Sequence, residues 1–209
     1  MTKYICLSAM SHTLCIETIA VEKRQLKNIA YHQARLNKTR RELWGYEDDW
    51  DLSELIRIPD SVDDNLFKCR LAYGKEVDHI KWELYKPRQI SKIQKVYQDE
   101  IDYSYKYDQR PELDALYAQR KDAGEILIIR KGMVTDAFYC NVAFFDESNW
   151  FTPDTYLLPG TQRAFLLDSG TIKETKIAEK DISSYSQIRL FNAMVGWEKA
   201  PVISIGMIV

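Results

Sequence analysis

The sequence predicts a mixed α/β (α+β) protein in two lobes, a smaller N-terminal lobe over residues 1–98 and a β-rich C-terminal lobe over 99–209. Three observations lead there. The first half carries one long helical pattern and one hairpin, the second carries a succession of short apolar runs divided by turns, and the change falls near residues 98–106. With 45% hydrophobic and 29% charged residues, and only 8 Gly and 6 Pro in 209, the chain is globular and neither disordered nor collagen-like.

The elements follow in order. Tyr4–Leu7 and Leu14–Val21 are short apolar runs that read as strands. Ala30–Trp44 reads as a helix, with Ile29, Leu36 and Leu43 one heptad apart and His32, Arg35, Lys38, Arg40 and Arg41 on the remainder, stopped by Gly45. A short helix is expected near Leu52–Arg57, ended by Pro59. Phe67–Tyr73 and Ile80–Leu84 alternate in polarity around Gly74-Lys75-Glu76, a hairpin. Pro111 opens a helix that Gly124 stops. Glu125–Arg130 is β-branched and almost wholly apolar, hence a strand buried on both faces. Lys131-Gly132 turns the chain into a strand over Met133–Phe145. Thr161–Asp168 is helical up to Gly170, Ile172–Ile177 is a strand and Glu179–Ser186 a short helix, and Ile188–Ala193 and Pro201–Val209 close the series as strands.

Several function classes lose their support. A net charge of −2, with basic and acidic residues interleaved, offers no nucleic-acid groove and no membrane-binding surface. No apolar stretch approaches bilayer length, and no basic-then-apolar leader opens the chain, so a soluble cytoplasmic protein is expected. Cys6, Cys15, Cys69 and Cys140 form no C-x-x-C and stand apart from the histidines. They read as small buried hydrophobes, with neither a metal site nor a disulfide framework. Phosphate-loop, dinucleotide, zinc-protease and nucleophile-elbow patterns are absent from the sequence.

Five blocks, read in order, carry a resemblance: IETIAVEKRQLKNIAYHQARLNKTRREL (Ile16–Leu43), YSYKYDQRPELDAL (Tyr103–Leu116), EILIIRKGMVTDAFYCNVAFF (Glu125–Phe145), WFTPDTYLLPGTQRAFLL (Trp150–Leu167) and LFNAMVGWEKAPV (Leu190–Val202). Together they resemble the class IV aminotransferase family, the fold-type IV pyridoxal-phosphate enzymes. Among its members the chain is most similar to 4-amino-4-deoxychorismate lyase. An amino-acid aminotransferase of branched-chain or D-amino-acid type, and a non-catalytic member, are the alternatives.

The resemblance implies pyridoxal 5'-phosphate as cofactor, a site between two lobes, a small-molecule amine substrate and a homodimer. It places Lys106 as the Schiff-base lysine, which must also move protons at the substrate carbon. Three tyrosines, Tyr103, Tyr105 and Tyr107, surround it in sequence and favour a desolvated, lower-pKa amine. Arg35, in His32-Gln33-Ala34-Arg35-Leu36, matches the phosphate-binding arginine, and Thr161 and Gln162 after Gly160 match the loop that presents a helix N-terminus to the phosphate. Asn192 and Ala193 fall in the last phosphate-side block. Asp136 stands where the family carries the glutamate that keeps the ring nitrogen protonated, one methylene shorter, and Asn141 matches the supporting asparagine. Glu17, Thr18 and Arg88 are the substrate-side candidates. Read without the resemblance, each of these residues is equally an ordinary surface, helix or strand residue.

Overall fold

The computed structural model describes residues 13–209. The strand expected at Tyr4–Leu7, with Cys6, lies outside the described residues.

The chain forms three sheets. In the first, β1 (Cys15–Glu22) pairs antiparallel with β2 (Gln25–Leu26) and with β3 (Phe67–Tyr73), and β3 pairs with β4 (Val77–Leu84). The hairpin lies where the turn residues put it, with Tyr73 facing Val77 across Gly74–Glu76. Side chains alternate across β1 as the two-residue period requires. Cys15, Ile19 and Val21 join the core with Leu36 of helix α1 (Ile29–Trp44), whereas Ile16 and Thr18 face the opposite side. That parity decides the fate of Glu17, which shares the α1 side.

Helix α1 ends at Gly45, whose φ of 74° lets its N–H reach the carbonyls of Arg40 and Arg41. Of the expected heptad Leu36 alone is buried, with Ile29 and Leu43 partly buried against the core; the other buried residues are His32, Asn37, Thr39 and Arg40. The polar ones are tolerated because partners wait for them: Asn37 exchanges two 3.0 Å bonds with the Trp50 backbone, and Arg40 lies 3.8 Å from the Trp50 ring centroid and pairs with Asp48. Helix α2 (Leu52–Leu55) stops short of the expected Arg57, and the chain is already extended at Ile56.

The second sheet has β6 at its centre (Glu125–Arg130), flanked by β5 (Ile93–Tyr97) in parallel and β7 (Met133–Ala137) antiparallel. Strand β6 is buried on both faces as its composition demands. Lys131 and Gly132 turn the chain with φ of 51° and 72°. Strand β5 was not expected, since its two buried residues, Ile93 and Val96, are three apart and show no alternation. Helix α3 (Pro111–Ala118) starts at its proline but ends well before Gly124.

The single strand expected over Met133–Phe145 is a pair. Phe138-Tyr139-Cys140 forms a corner, closed by the bond from Ala137 N to Cys140 O at 2.9 Å, and β8 (Asn141–Phe145) continues in the third sheet. An apolar run supplies no signal for such a change of sheet. The third sheet runs β10-β9-β8-β11-β12, with β9 at Trp150–Pro153, β10 at Lys173–Thr175, β11 at Gln187–Phe191 and β12 at Val202–Ser204. The last three are shorter than expected. Residues Glu179–Ser184 and Ile205–Met207 form 3₁₀ turns. Helix α4 (Thr161–Asp168) lies as expected, followed by Gly170 at φ 68°. Ala20 of β1 packs with Ala143, Leu166, Phe191 and Met194, which fastens the first sheet to β8, α4 and β11 and leaves a cavity beside that seam. Among the described residues no helix is long and apolar enough to cross a membrane.

Candidate active site

The cavity has a volume of about 360 Å³, enough for a small cofactor with part of a substrate. All the residues singled out from the sequence line it except Glu17: Lys106 between the sheets, Arg35 from α1, Asp136 from β7, and Asn141 from β8, with Thr18 and Arg88 on the far walls. Thr161 and Gln162 open α4 onto it, and Asn192 and Ala193 follow β11. Residues separated by most of the chain are brought together.

Lys106 is anchored through its backbone, whose carbonyl accepts from Ile16 N at 2.8 Å. Burial pulls its amine down to about 7, and the charges of Arg35 and Arg110 push the same way against the opposing pull of Glu17. An amine that is half neutral near pH 7 is both a nucleophile and a base, which an ordinary lysine is not.

Glu17 lies beneath the wall rather than in it. Its carboxylate is fully buried and accepts from Arg35 Nε at 2.8 Å, Arg35 Nη2 at 2.6 Å and His32 Nδ1 at 2.6 Å. Burial works to raise its pKa, yet the Arg35 charge and these bonds win and hold it at about 2. Burial pulls the His32 imidazole below its ordinary pKa, against the opposing pull of Glu17. With its Nδ1–H given to a carboxylate that only accepts, its Nε2 is left to accept a hydrogen bond from the Thr161 hydroxyl at 3.3 Å. Glu17 therefore serves as the socket for Arg35, a placement that excludes the substrate-side position expected for it.

Arg35 donates a third bond, from Nη1 to Pro159 O at 3.3 Å, and among the described residues two of its five N–H groups stay open. No side chain caps α4, whose first-turn N–H groups face the same region, while Asn28 Nδ2 holds the Gln162 side chain at 2.8 Å. An open guanidinium beside an uncapped helix N-terminus is an anion cradle. A Cβ at Gly160 would stand 1.9 Å from Asn141 Oδ1, so any other residue there must displace that side chain.

Asp136 is buried and accepts from Asn141 Nδ2 at 2.7 Å, Leu157 N at 2.8 Å and Leu158 N at 3.0 Å. Burial lifts its carboxyl to about 6, with those donors holding it back. Asn192 accepts from the backbone N–H groups of Met194 and Val195 and donates to Tyr139 O and Cys140 Sγ, so it braces the corner between β7 and β8. Cys15, Cys69 and Cys140 are buried free thiols. Burial pushes the first two up to about 12 and the third well above its ordinary value, which leaves none as a nucleophile.

The model of the class IV amino-transferase family matches residues 106–205. A Haemophilus influenzae protein, described only as uncharacterized, is 38% identical over 182 residues, covering 86% of this chain and 97% of its own. The chain belongs to the class IV aminotransferase family. A crystal structure of a candidate 4-amino-4-deoxychorismate lyase from Haemophilus somnus shares 35% identity and a TM-score of 0.83, over 88% of this chain and 98% of that one. A hypothetical aminotransferase from Mycobacterium tuberculosis, in its PLP-bound form, shares the fold at 16% identity and a TM-score of 0.75, over 94% and 82%.

The class IV aminotransferase fold is one of pyridoxal-phosphate-dependent aminotransferases and lyases. The donor set fits that cofactor: a low-pKa lysine, an anion cradle at the open α4 N-terminus beside Arg35, and a buried carboxylate on the same cavity. Sequence reasoning did not single out His32, Tyr85, Arg110, Phe138 or Tyr139 as site residues. All but Tyr85 lie in the quoted blocks, His32 three residues before Arg35 and Arg110 four after Lys106.

Proposed function

We propose that the chain is a pyridoxal-phosphate-dependent 4-amino-4-deoxychorismate lyase, which converts that substrate to 4-aminobenzoate and pyruvate. The observation that carries the reading is the Lys106 amine, lining the cavity with its pKa pulled to about 7. The similarity to the Haemophilus somnus protein over nearly its full length supports the choice of lyase. The resemblance also implies a homodimer as the working form, and sedimentation of the active protein tests it.

In this reading Lys106 holds the cofactor, Arg35 with the α4 N-terminus binds its phosphate, and Asp136 faces its ring. When bound, the cofactor supplies an aldehyde for the substrate amine and a ring that withdraws electrons. The protein's own part is orientation and proton transfer. Lys106 Nζ, once free and neutral, takes the proton from the amine-bearing ring carbon. The C–O bond to the enolpyruvyl group then breaks as the ring becomes aromatic, and the departing enolpyruvate gains a proton to become pyruvate. Asp136, held by three donors, keeps negative charge facing the ring through the step.

The test is incubation of the cofactor-loaded protein with 4-amino-4-deoxychorismate. Formation of 4-aminobenzoate and pyruvate in equal amounts is expected. Transfer of an amino group from an amino acid to a keto acid, with no 4-aminobenzoate, would replace lyase by aminotransferase.

A further inference from the structure

Six cations line the cavity, and three of them pair with acids at hydrogen-bond distance: Arg35 with Glu17, Lys68 with Glu83 and Arg70 with Asp108. Lys106 is the reactive amine. Arg110 and Arg88 remain.

Arg110 is fixed in place chiefly by uncharged groups, with the buried Glu125 carboxyl close enough to feel its charge and that of Arg88 without bonding either. Its Nη1 donates to Phe138 O at 3.1 Å, its guanidinium carbon lies 4.2 Å from the Phe138 ring centroid, and it bonds the Tyr103 hydroxyl. Phe138 is in turn stacked on Tyr117, with centroids 4.1 Å apart and planes at 14°. Among the described residues the one acid within 4 Å is Asp114, at 3.9 Å and largely exposed. Arg88 bonds the Tyr117 hydroxyl at 3.2 Å, sits 5.0 Å from the Tyr139 centroid, and has no ion pair among the described residues. It borders both this cavity and an adjoining one of about 410 Å³, whereas Arg110 borders only the first.

A guanidinium held rigidly in a cavity wall by a carbonyl and a ring presents its remaining N–H groups inward at little entropic cost, and carboxylate is the group that fits them. We propose that Arg110 binds one carboxylate of the substrate and Arg88 a second, so that the site selects amines bearing two carboxylates. Arg110 is then the specificity-determining residue, and the substrate class is a dicarboxylic amine. The inference rests on the lyase reading, whose substrate carries two carboxylates, and it assigns the residues that recognise them.

The experiment uses the cofactor-loaded protein and two probes that lack the amine and so cannot react: chorismate, with two carboxylates, and 4-hydroxybenzoate, with one. Calorimetry should show chorismate binding at least about ten-fold more tightly than 4-hydroxybenzoate. Arg110→Gln should lose about ten-fold or more for chorismate and raise KM far more than it lowers kcat, with Arg110→Lys recovering part of the loss. Cofactor affinity, read by absorbance, should not move, as it would if the residue were only structural. An unchanged chorismate affinity in Arg110→Gln overturns the proposal. So does equal affinity of the unaltered protein for the two probes, a result that stands even if the variant fails to fold. If the unaltered protein makes no 4-aminobenzoate yet binds chorismate through Arg110, the lyase reading fails and the dicarboxylate assignment stands. If Arg110→Gln turns over with unchanged KM, the assignment fails and the lyase reading stands.

Discussion

The two ends of the cavity are built on opposite electrostatic terms. At one end Arg35, Glu17, His32 and Thr161 form a closed chain of bonds between α1, β1 and α4, with every charge matched inside the protein. At the other, Lys106, Arg110 and Arg88 face the same space with no acid at hydrogen-bond distance among the described residues; the buried carboxyls of Glu17 and Glu125 act on them only through space, and burial pushes Glu125 itself up to about 7. The first end belongs to folding, since its charges are compensated from the moment the elements dock. The second costs the folded chain something until a ligand arrives, as sites built for chemistry generally do.

Four measurements break or sharpen that contrast. The largest effect is expected from Lys106→Ala, which should abolish the absorbance of covalently held cofactor and reduce turnover by at least about a thousand-fold. The same change should raise the melting temperature of the cofactor-free protein. A lysine whose pKa falls from 10.5 to about 7 on folding is penalised fully below pH 7, and the penalty is relieved only as pH rises through that window toward 10.5. A lower melting temperature in the variant would remove the contrast.

Glu17→Ala should do the reverse. It strands a buried guanidinium and imidazole, and a loss of about 3–5 kcal/mol in urea unfolding is expected. The native carboxylate titrates at about 2 against 4.5 for the ordinary group. Its contribution is therefore complete above about pH 4.5 and disappears as pH falls toward 2. Stability of the Glu17→Ala protein should be correspondingly flatter across that acid range.

The third effect is on rate. If the neutral Lys106 amine, freed when substrate displaces it, is the working form, kcat should fall about ten-fold per unit of pH below about 7 in a profile taken at saturating cofactor and substrate. An acid limb near 10 would show an amine with ordinary solvation. The smallest effect is expected at Arg88, an exposed residue, where Arg88→Ala should change unfolding free energy by no more than about 0.5 kcal/mol, against the several expected at Glu17.

Much of this was legible in the residues before the fold. Apolar composition alone places β6, turn chemistry places the hairpin at Gly74–Glu76, and Gly45 and Gly170 mark helix ends. The candidates that line the cavity, Arg88 apart, came from ordered blocks matched to a family, which no periodicity would have assembled. Three things were hidden for identifiable reasons. The corner at Phe138–Cys140 sits inside a run whose composition is uniformly strand-like, and only a change of sheet creates it. Strand β5 pairs through its backbone while Gln94 and Lys95 remain partly exposed, so no alternation betrays it. The burial of His32 and Glu17 depends on their meeting each other, and a helical wheel shows only a polar histidine on a basic face. The parity of β1 was readable, yet which face turned toward α1 was not.

Asn141 touches both Gly160 and Asp136: a Cβ on the glycine would meet its Oδ1, and its Nδ2 is bonded to the aspartate. A methyl group added at 160 would thus be transmitted through one amide to the buried acid. A substitution that alters neither charge nor polarity would be felt as an electrostatic one, and position 160 is governed less by its own surroundings than by the titration of its neighbour's neighbour.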